Sequence, residues 1–240
     1  FMANTQHLYY REDVLKELGI PVPKTYEEVV AASEKIRASG KMQHPYAAAY
    51  KAGWNLAEEF VNMFIGHGGE FFKAGTAEPN INNAKGVATL NMLKKLASLS
   101  NPDYLTHDSE AIKVEWESGK VALMTLWASR SGTLLDDEGD AKITAATKLT
   151  GPATVGGGNI PAATLWWDGF TLAKNRSDSD AEATFIALAH AASNKKMVAD
   201  AADQAVWLVE GFVPGPKSIG VIEAVKMGAK PYPMLPQMGL

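Results

Sequence analysis

The stretch Ala122-Leu123-Met124-Thr125-Leu126-Trp127-Ala128-Ser129-Arg130 follows a helical pattern that ends in Trp116-Glu117-Ser118-Gly119-Lys120. It reads as a buried strand that runs out of the core into an indole and a guanidinium. Open α/β proteins bind ligands in the crevice beyond the carboxyl ends of their strands, which is where Trp127 and Arg130 stand. These side chains suit holding a ligand rather than reacting with it.

Upstream, Leu8-Tyr9-Tyr10 is a short strand candidate, followed by a helical turn from Asp13 to Leu18 closed by Gly19. Pro21-Val22-Pro23-Lys24 is extended, and Thr25 with Glu28 forms a capping box for a helix whose inner face carries Tyr26, Val29, Val30, Ser33 and Ile36. A second helix is expected from about Asn55 to Ile65, with Gly68-Gly69 turning the chain after it. A third follows Asn82 and Asn83 with Val87, Leu90 and Leu93 inward, and a fourth runs from Asp108 and Ser109 to just before Gly119. Downstream the texture turns to β: 121–126, then 142–147, then 163–173. Gly151 to Pro161 reads as a long loop, a domain boundary, in which Gly156-Gly157-Gly158 is either a connector or an anion loop. Ser177 to Asp180 caps a further helix with Ala183, Ile186 and Ala189 on its buried side. Another helix is expected from Asn194, and Pro214, Pro216, Pro231, Pro233 and Pro236 make the tail extended.

The 240 residues carry a formal net charge of −4 with both signs interspersed, which leaves no basic footprint for nucleic acid or an anionic membrane surface. No apolar run approaches the roughly 18 residues that span a bilayer. Zero cysteines exclude disulfides and thiolate chemistry, and fit a reducing cytosol and a periplasm equally. Phe1-Met2-Ala3-Asn4 is not an ordinary translation start, so a piece of a longer protein is expected.

Catalytic constellations are sparse. Histidines 7, 44, 67, 107 and 190 have no four-residue helical spacing for zinc, and neither a serine elbow nor a phosphate-binding loop is present, so no metal or cofactor is expected. Asp136-Asp137-Glu138-Gly139-Asp140 lacks calcium-loop spacing and reads as a solvated turn. The six tryptophans are the better lead, because an aromatic face stacks on a sugar ring while polar neighbours take its hydroxyls. Trp116 and Trp207 read as core. Trp54 and Trp127 read as either core or stacking surface, and Trp166 and Trp167 alternate across a strand, so at most one faces a cleft.

The order of these motifs resembles the extracellular solute-binding proteins of sugar ABC transporters, of the type II periplasmic binding fold. The matching pieces are Leu8 to Leu15 with Gly19 to Glu28, Gly68-Gly69, Glu117 to Met124, and Asp168 to Asn175 with the helix after it. The resemblance implies an α/β fold of two lobes with hinge crossings. Residues 10–162 would form a nearly complete second lobe, 163–205 a strand-helix piece of the first, and 206–240 a return and wrapping segment. With most of the first lobe lacking, Phe170 and Ile186 are expected in an exposed apolar patch, a chain-chain contact, or a truncated core. Arg130 after Ala128-Ser129 and the step Asp168-Gly169 depart from the family pattern, where an aromatic and a double glycine are usual.

The implied function is capture of a mono- or oligosaccharide or polyol between lobes for delivery to a membrane permease, at a periplasmic or lipid-anchored extracytoplasmic location. On that reading Trp54 and Trp127 supply stacking surface, Trp127 with its ring partly exposed beside a cleft. Asn55 and Glu58 take hydroxyls, Arg130 and Asp168 give charge-assisted hydrogen bonds, and Trp166 or Trp167 with Gly169 completes the site. Asp168 could equally hold a turn. Arg130 is expected to pair with Asp168 or Glu58, which favours a neutral ligand over an acidic one. The rival reading is a glycoside hydrolase, which needs two carboxylates flanking one bond. Glu58 and Glu59 diverge by about 100° on a helix and make a poor pair. A surface interaction module is the third class.

Overall fold

The computed structural model describes residues 2–135, 139–191 and 230–231, and the chain in it is built on two sheets. The larger has the order β3-β4-β2-β5, from β2 (Gln6–Arg11), β3 (Tyr46–Ala47), β4 (Leu123–Trp127) and β5 (Thr147–Thr150). The smaller has the order β1-β6-β7, from β1 (Met2–Asn4), β6 (Thr164–Asp168) and β7 (Lys230–Pro231). β2 runs antiparallel to both its neighbours, with Leu8 opposite Thr125 and Thr150, and β3 runs parallel to β4. Only Thr5 separates β1 from β2, so the chain changes sheet within one residue, and it changes back where the loop after β5 enters β6. These two crossings fix where the site lies.

Helices cover the larger sheet: α1 (Glu12–Glu17), α2 (Tyr26–Ala38), α3 (Trp54–Gly66), α4 (Ala84–Ser98), α5 (Ser109–Glu117), α6 (Ser131–Leu134) and α7 (Ala141–Ala146). α8 (Asp178–Ala191) follows β6. All five residues of β4 are buried, as the unbroken apolar run predicts for a strand packed on both faces. Leu8, Tyr46 and Leu123 join Tyr26, Val29 and Ile36 of α2 and Leu93 and Leu96 of α4 in one core. Tyr9, Met124 and Leu126 point the other way and meet Ile112 and Trp116 of α5. The Trp116 indole N–H, fully buried, donates to Thr147 Oγ1 at 2.9 Å, so its polar atom does not oppose burial.

The local signals at α2 hold. Thr25 Oγ1 accepts from the Glu28 N–H at 3.1 Å while a Glu28 carboxylate oxygen accepts from the Thr25 N–H at 3.2 Å. Asn83 and Asp108 cap α4 and α5 as their side-chain chemistry dictates.

Four expectations need correction. On α4 the buried face is Gly86, Thr89, Met92, Leu93 and Leu96, and Val87 and Leu90 are exposed. A Cβ at position 86 would come within 2.1 Å of the Ile81 carbonyl oxygen, so this glycine faces the preceding turn and sets the helix phase. Residues 142–146 are helix, not strand, because the Asp140 side chain caps the backbone N–H groups of Lys142 and Ile143, and the strand begins only at Thr147, opposite Arg11. The strand expected over 163–173 is the shorter Thr164–Asp168, paired with β1 through Met2 opposite Asp168. The face of α8 carrying Ala183, Ile186 and Ala189 is exposed, as is Phe185 on the same helix, and Phe170 is exposed as expected. The helix expected from Asn194, Trp207 and most of the extended tail lie outside the described residues, apart from Lys230–Pro231 in β7.

These contacts set a rank order of stability effects. Thr25→Ala is expected to lower unfolding free energy by about 1 kcal/mol, the loss of an N-cap. Trp116→Ala is expected to lower it by roughly 3 to 5 kcal/mol, the range for a large buried aromatic. Urea denaturation monitored by circular dichroism checks the order.

Candidate functional site

Three indoles meet where the first turn of α3, the end of β4 and the start of β6 converge. Trp54 stacks on Trp127 with ring centroids 6.0 Å apart and planes 21° from parallel. Trp166 presents its edge to both, at 5.8 Å from Trp54 and 6.3 Å from Trp127. Gly53, at φ 108°, gives the positive-φ turn from which α3 starts and sets Trp54 at its first position. Exposure differs sharply within the cluster: Trp54 is 52% exposed and Trp127 only 8%. The expectation that Trp127 itself offers a partly exposed ring is therefore wrong. β4 carries it inward far enough that Trp54 covers it, so Trp54 is the exposed platform and Trp127 its floor.

The segment after β4 is sewn to the first crossing. Asn4 Nδ2 donates to Ser129 Oγ at 2.9 Å, Asn4 Oδ1 accepts from the Ser129 N–H at 3.2 Å, and the Ala128 N–H donates to the Thr5 carbonyl at 2.9 Å. Arg130 forms an ion pair with Glu110 near the start of α5. Of the two partners expected for it, Glu58 is turned inward and bonded to Thr164, and the side chain of Asp168 lies outside the described part. Asn55 is half-buried beside Trp54, and Gly169 is exposed just beyond β6. Trp167 and Asp168 belong to β6 through backbone pairing with Ala3 and Met2, and their side chains lie outside the described part.

Glu58 is turned away from solvent. It is 1% exposed, and its Oε1 accepts from Thr164 Oγ1 at 2.6 Å. It belongs to a network absent from the sequence reading. Gln6 Nε2 donates to Glu59 Oε1 at 2.9 Å, Asn62 Nδ2 donates to Gln6 Oε1 at 3.1 Å, and Asn62 Oδ1 accepts from the Thr164 N–H at 2.8 Å. Gln6 and Thr164 are the first residues past the two crossings, so α3 grips both. Its far end is equally close: a Cβ on Gly66 would lie 2.6 Å from the Ala162 Cβ. Burial pushes the Glu59 carboxyl up to about 8, with the Gln6 bond opposing and Glu58 adding to the rise. Burial also raises Glu58, opposed by its Thr164 bond. The helical spacing of 58, 59 and 62 was visible in the sequence, but their partners are 53 to 106 residues away.

The loop at Gly156 is occupied by the chain's own carboxylate: the Gly156 N–H donates to Glu27 Oε1 at 2.8 Å, and Thr154 exchanges backbone bonds with Lys24 and Tyr26. Among the described residues no group of three or more His, Cys, Asp or Glu is placed to hold a metal ion.

The family described as bacterial extracellular solute-binding protein matches residues 1–197. A Deinococcus radiodurans protein named "Probable ABC transporter-binding protein" is 30% identical over 176 residues, which cover 70% of this chain and 40% of that protein. Among solved structures, maltose-bound MalE3 of T. maritima superimposes with a TM-score of 0.75 at 20% identity, over 95% of this chain and 56% of that one. An Agrobacterium radiobacter ABC transporter solute-binding protein in complex with ribitol gives a TM-score of 0.76 at 20% identity, over 100% of this chain and 57% of that one. The chain thus spans between two fifths and three fifths of the length of these relatives, and the fold is that of type II periplasmic binding proteins.

The two stacked indoles should separate in stability measurements. Trp127→Ala is expected to cost roughly 3 to 5 kcal/mol, and Trp54→Ala less than about 1 kcal/mol, as for an exposed side chain. Equal losses in paired denaturation curves would contradict the platform-and-floor arrangement.

Proposed function

The chain belongs to the bacterial extracellular solute-binding protein family, and from that membership we propose that it captures a neutral carbohydrate or polyol for an ABC importer. The observation that carries this reading is Trp54, half exposed and backed by a buried indole, beside the point where the chain passes between two sheets. The C–H face of a sugar ring packs on such a surface, and neighbouring polar groups take its hydroxyls. In the relatives of the same fold, one solved protein holds maltose and another ribitol, which supports the ligand class.

On this reading 10–162 is the second lobe, 163–205 contributes a strand and helix to the first, and 206–240 returns and wraps. Ligand contacting both lobes selects the closed state by hinge motion at the crossings, and a membrane permease accepts that form. Trp54 is the stacking residue. Asn55 lines the ligand from α3, one of Trp166 and Trp167 with Asp168 and Gly169 lines it from β6 and the step after it, and Trp127 and Glu58 act from beneath. Arg130, already paired with Glu110, is more suited to donating to hydroxyls than to clamping a free carboxylate, which favours a neutral ligand. The location is extracytoplasmic, either periplasmic or lipid-anchored. Hydrolysis is a poorer reading, since the two carboxylates of α3, Glu58 and Glu59, are buried and bound to Thr164 and Gln6.

Thermal shift against mono- and oligosaccharides and polyols tests the proposal, because a ligand that binds only the native state adds RT ln(1 + [L]/Kd) to stability. Trp54→Ala is expected to weaken binding of whichever sugar scores by roughly 1 to 4 kcal/mol, as for an aromatic anchor. Turnover of chromogenic glycosides, or tighter calorimetric binding of a uronic acid than of its neutral sugar, would count against capture and against neutrality respectively.

A further inference from the structure

α3 is gripped at its middle and far end, through Glu58, Glu59, Asn62 and Gly66, whereas the exposed indole stands on its first residue. Gly53, at the N-cap, has no side chain to fasten that first turn. We propose that Glu115 of α5 is a positioning residue for ligand capture: its two carboxylate oxygens pin both ends of the segment 101–107, whose backbone carbonyls hold the residues leading into Gly53 and Trp54. The inference rests on the capture reading, but the hold on Trp54 exists in the unliganded chain and is tested there.

The hydrogen bonds form one path. Asn101 Nδ2 donates to Glu115 Oε1 at 2.6 Å, and His107 Nδ1 stands 3.5 Å from Glu115 Oε2, an ion pair when the ring is protonated. Between these two points the chain winds through a single 3-10 turn, Tyr104–Thr106, in which the N–H groups of Tyr104, Thr106 and His107 donate to the carbonyls of Asn101, Asp103 and Tyr104. A segment so wound and held at both ends moves as one body. The Tyr104 ring meets Tyr50 edge to face, with centroids 5.8 Å apart. From there the path reaches the approach to α3: the Lys51 N–H donates to the His107 carbonyl at 2.8 Å and the Ala52 N–H to the Leu105 carbonyl at 3.2 Å. Lys51 closes it, because its own carbonyl accepts from the Leu56 N–H at 3.2 Å, inside the first turn of α3.

Burial singles out Glu115 among the groups along this path. Lys51 Nζ also reaches Asp108 Oδ2 at 2.9 Å, but both side chains are well exposed, and exposed ion pairs contribute little. Glu115 is 8% exposed, so water does not readily replace its bonds. Removing it leaves the Asn101 amide and the His107 ring, both half-buried, short of a partner. Burying a carboxyl costs stability unless its oxygens are paired, and α5 already has Ile112 and Trp116 to seat it in the core. Position 115 therefore serves the segment 101–107 rather than the packing of α5. If release of that segment leaves Trp54 in place for about a tenth of the time, the apparent Kd rises about tenfold.

Three variants decide it. In protein carrying 5-fluorotryptophan, the 19F resonance that disappears in Trp54→Phe reports on that indole without any ligand. It is expected to shift or broaden in Asn101→Ala and Glu115→Ala, and to keep its wild-type position in Glu115→Gln, which still offers Asn101 an acceptor. A Trp54 resonance unmoved in both alanine variants overturns the proposal, and does so equally if their melting temperatures have fallen, since Glu115 then only stabilises. A shift in Glu115→Gln equal to that in Glu115→Ala overturns it as well. Should Glu115→Ala not fold, Asn101→Ala, at a half-buried position, decides alone. With maltose and ribitol as probes, Kd is expected to rise about tenfold in the alanine variants and less than twofold in Glu115→Gln. An unchanged Kd in the alanine variants overturns the role in capture. Failure of the wild-type protein to bind either sugar contradicts the capture reading instead, and the 19F result then decides the positioning of Trp54.

Discussion

A backbone that passes from one sheet to another leaves N–H and C=O groups with no ladder to pair in, and buried groups of that kind must find other partners. This chain meets that demand at both crossings with asparagine. Asn4 Oδ1 accepts from the N–H groups of Thr5 and Ser129, and Asn62 Oδ1 accepts from the N–H of Thr164. The two residues also use their amide N–H groups, Asn4 toward Ser129 Oγ and Asn62 toward Gln6 Oε1. Each amide thus satisfies the crossing and ties it to a neighbouring element, and the placement of α3 and of the segment after β4 follows from these bonds.

The aromatic cluster depends on that placement. Trp127 ends β4, whose position in the larger sheet is fixed by pairing with β2, beginning immediately after the first crossing. Trp166 lies in β6 opposite Asn4, immediately after the second. Trp54 comes from α3, which is held against both. Stacked and edge-on aromatic pairs add roughly 0.5 to 1.5 kcal/mol beyond burial, a modest gain that could not by itself position three elements. The indoles meet because the crossings are held, and their contact then gives the half-exposed ring a rigid backing.

What the sequence disclosed was what short-range physics controls. The Thr25–Glu28 capping box, the Asn83 and Asp108 caps and the doubly buried run at 123–127 needed only near neighbours and hydrophobicity, and they stand as expected. The phase of α4 was misread because Val87 and Leu90 are the larger apolar residues, whereas a close approach to Ile81 turns the Gly86 face inward. Residues 142–146 have β-like composition, yet one aspartate cap makes them helical. Aromatic type singled out three indoles that do meet in the fold, but not which ring is exposed, since that depends on α3 lying over the end of β4. The pairing of Arg130 with Glu110 leaves no local signal, because Glu110 is 20 residues earlier in sequence and on another helix. The Gln6–Glu59 and Asn62–Thr164 pairings leave no signal in a single sequence, because polar side chains on an otherwise apolar helix look the same whether they meet a strand or water.

The polar character of α3 has a physical reason that apolar packing could not supply. Burying carboxyls is costly, and well-packed hydrophobic residues of similar volume often stabilise a core better. A leucine at 62, however, would leave the Thr164 N–H without its partner, at a cost of about 1 to 3 kcal/mol for an orphaned buried donor, and would also free Gln6 Oε1. Gln6 in turn needs an acceptor for its amide, which Glu59 provides, and Thr164 Oγ1 needs one, which Glu58 provides. Once the chain crosses between sheets beneath a helix, each polar group introduced to satisfy the backbone calls for the next. Because Trp54 and Asn62 lie eight positions apart on one helix, about 12 Å along its axis, any shift of that network moves the exposed indole with it.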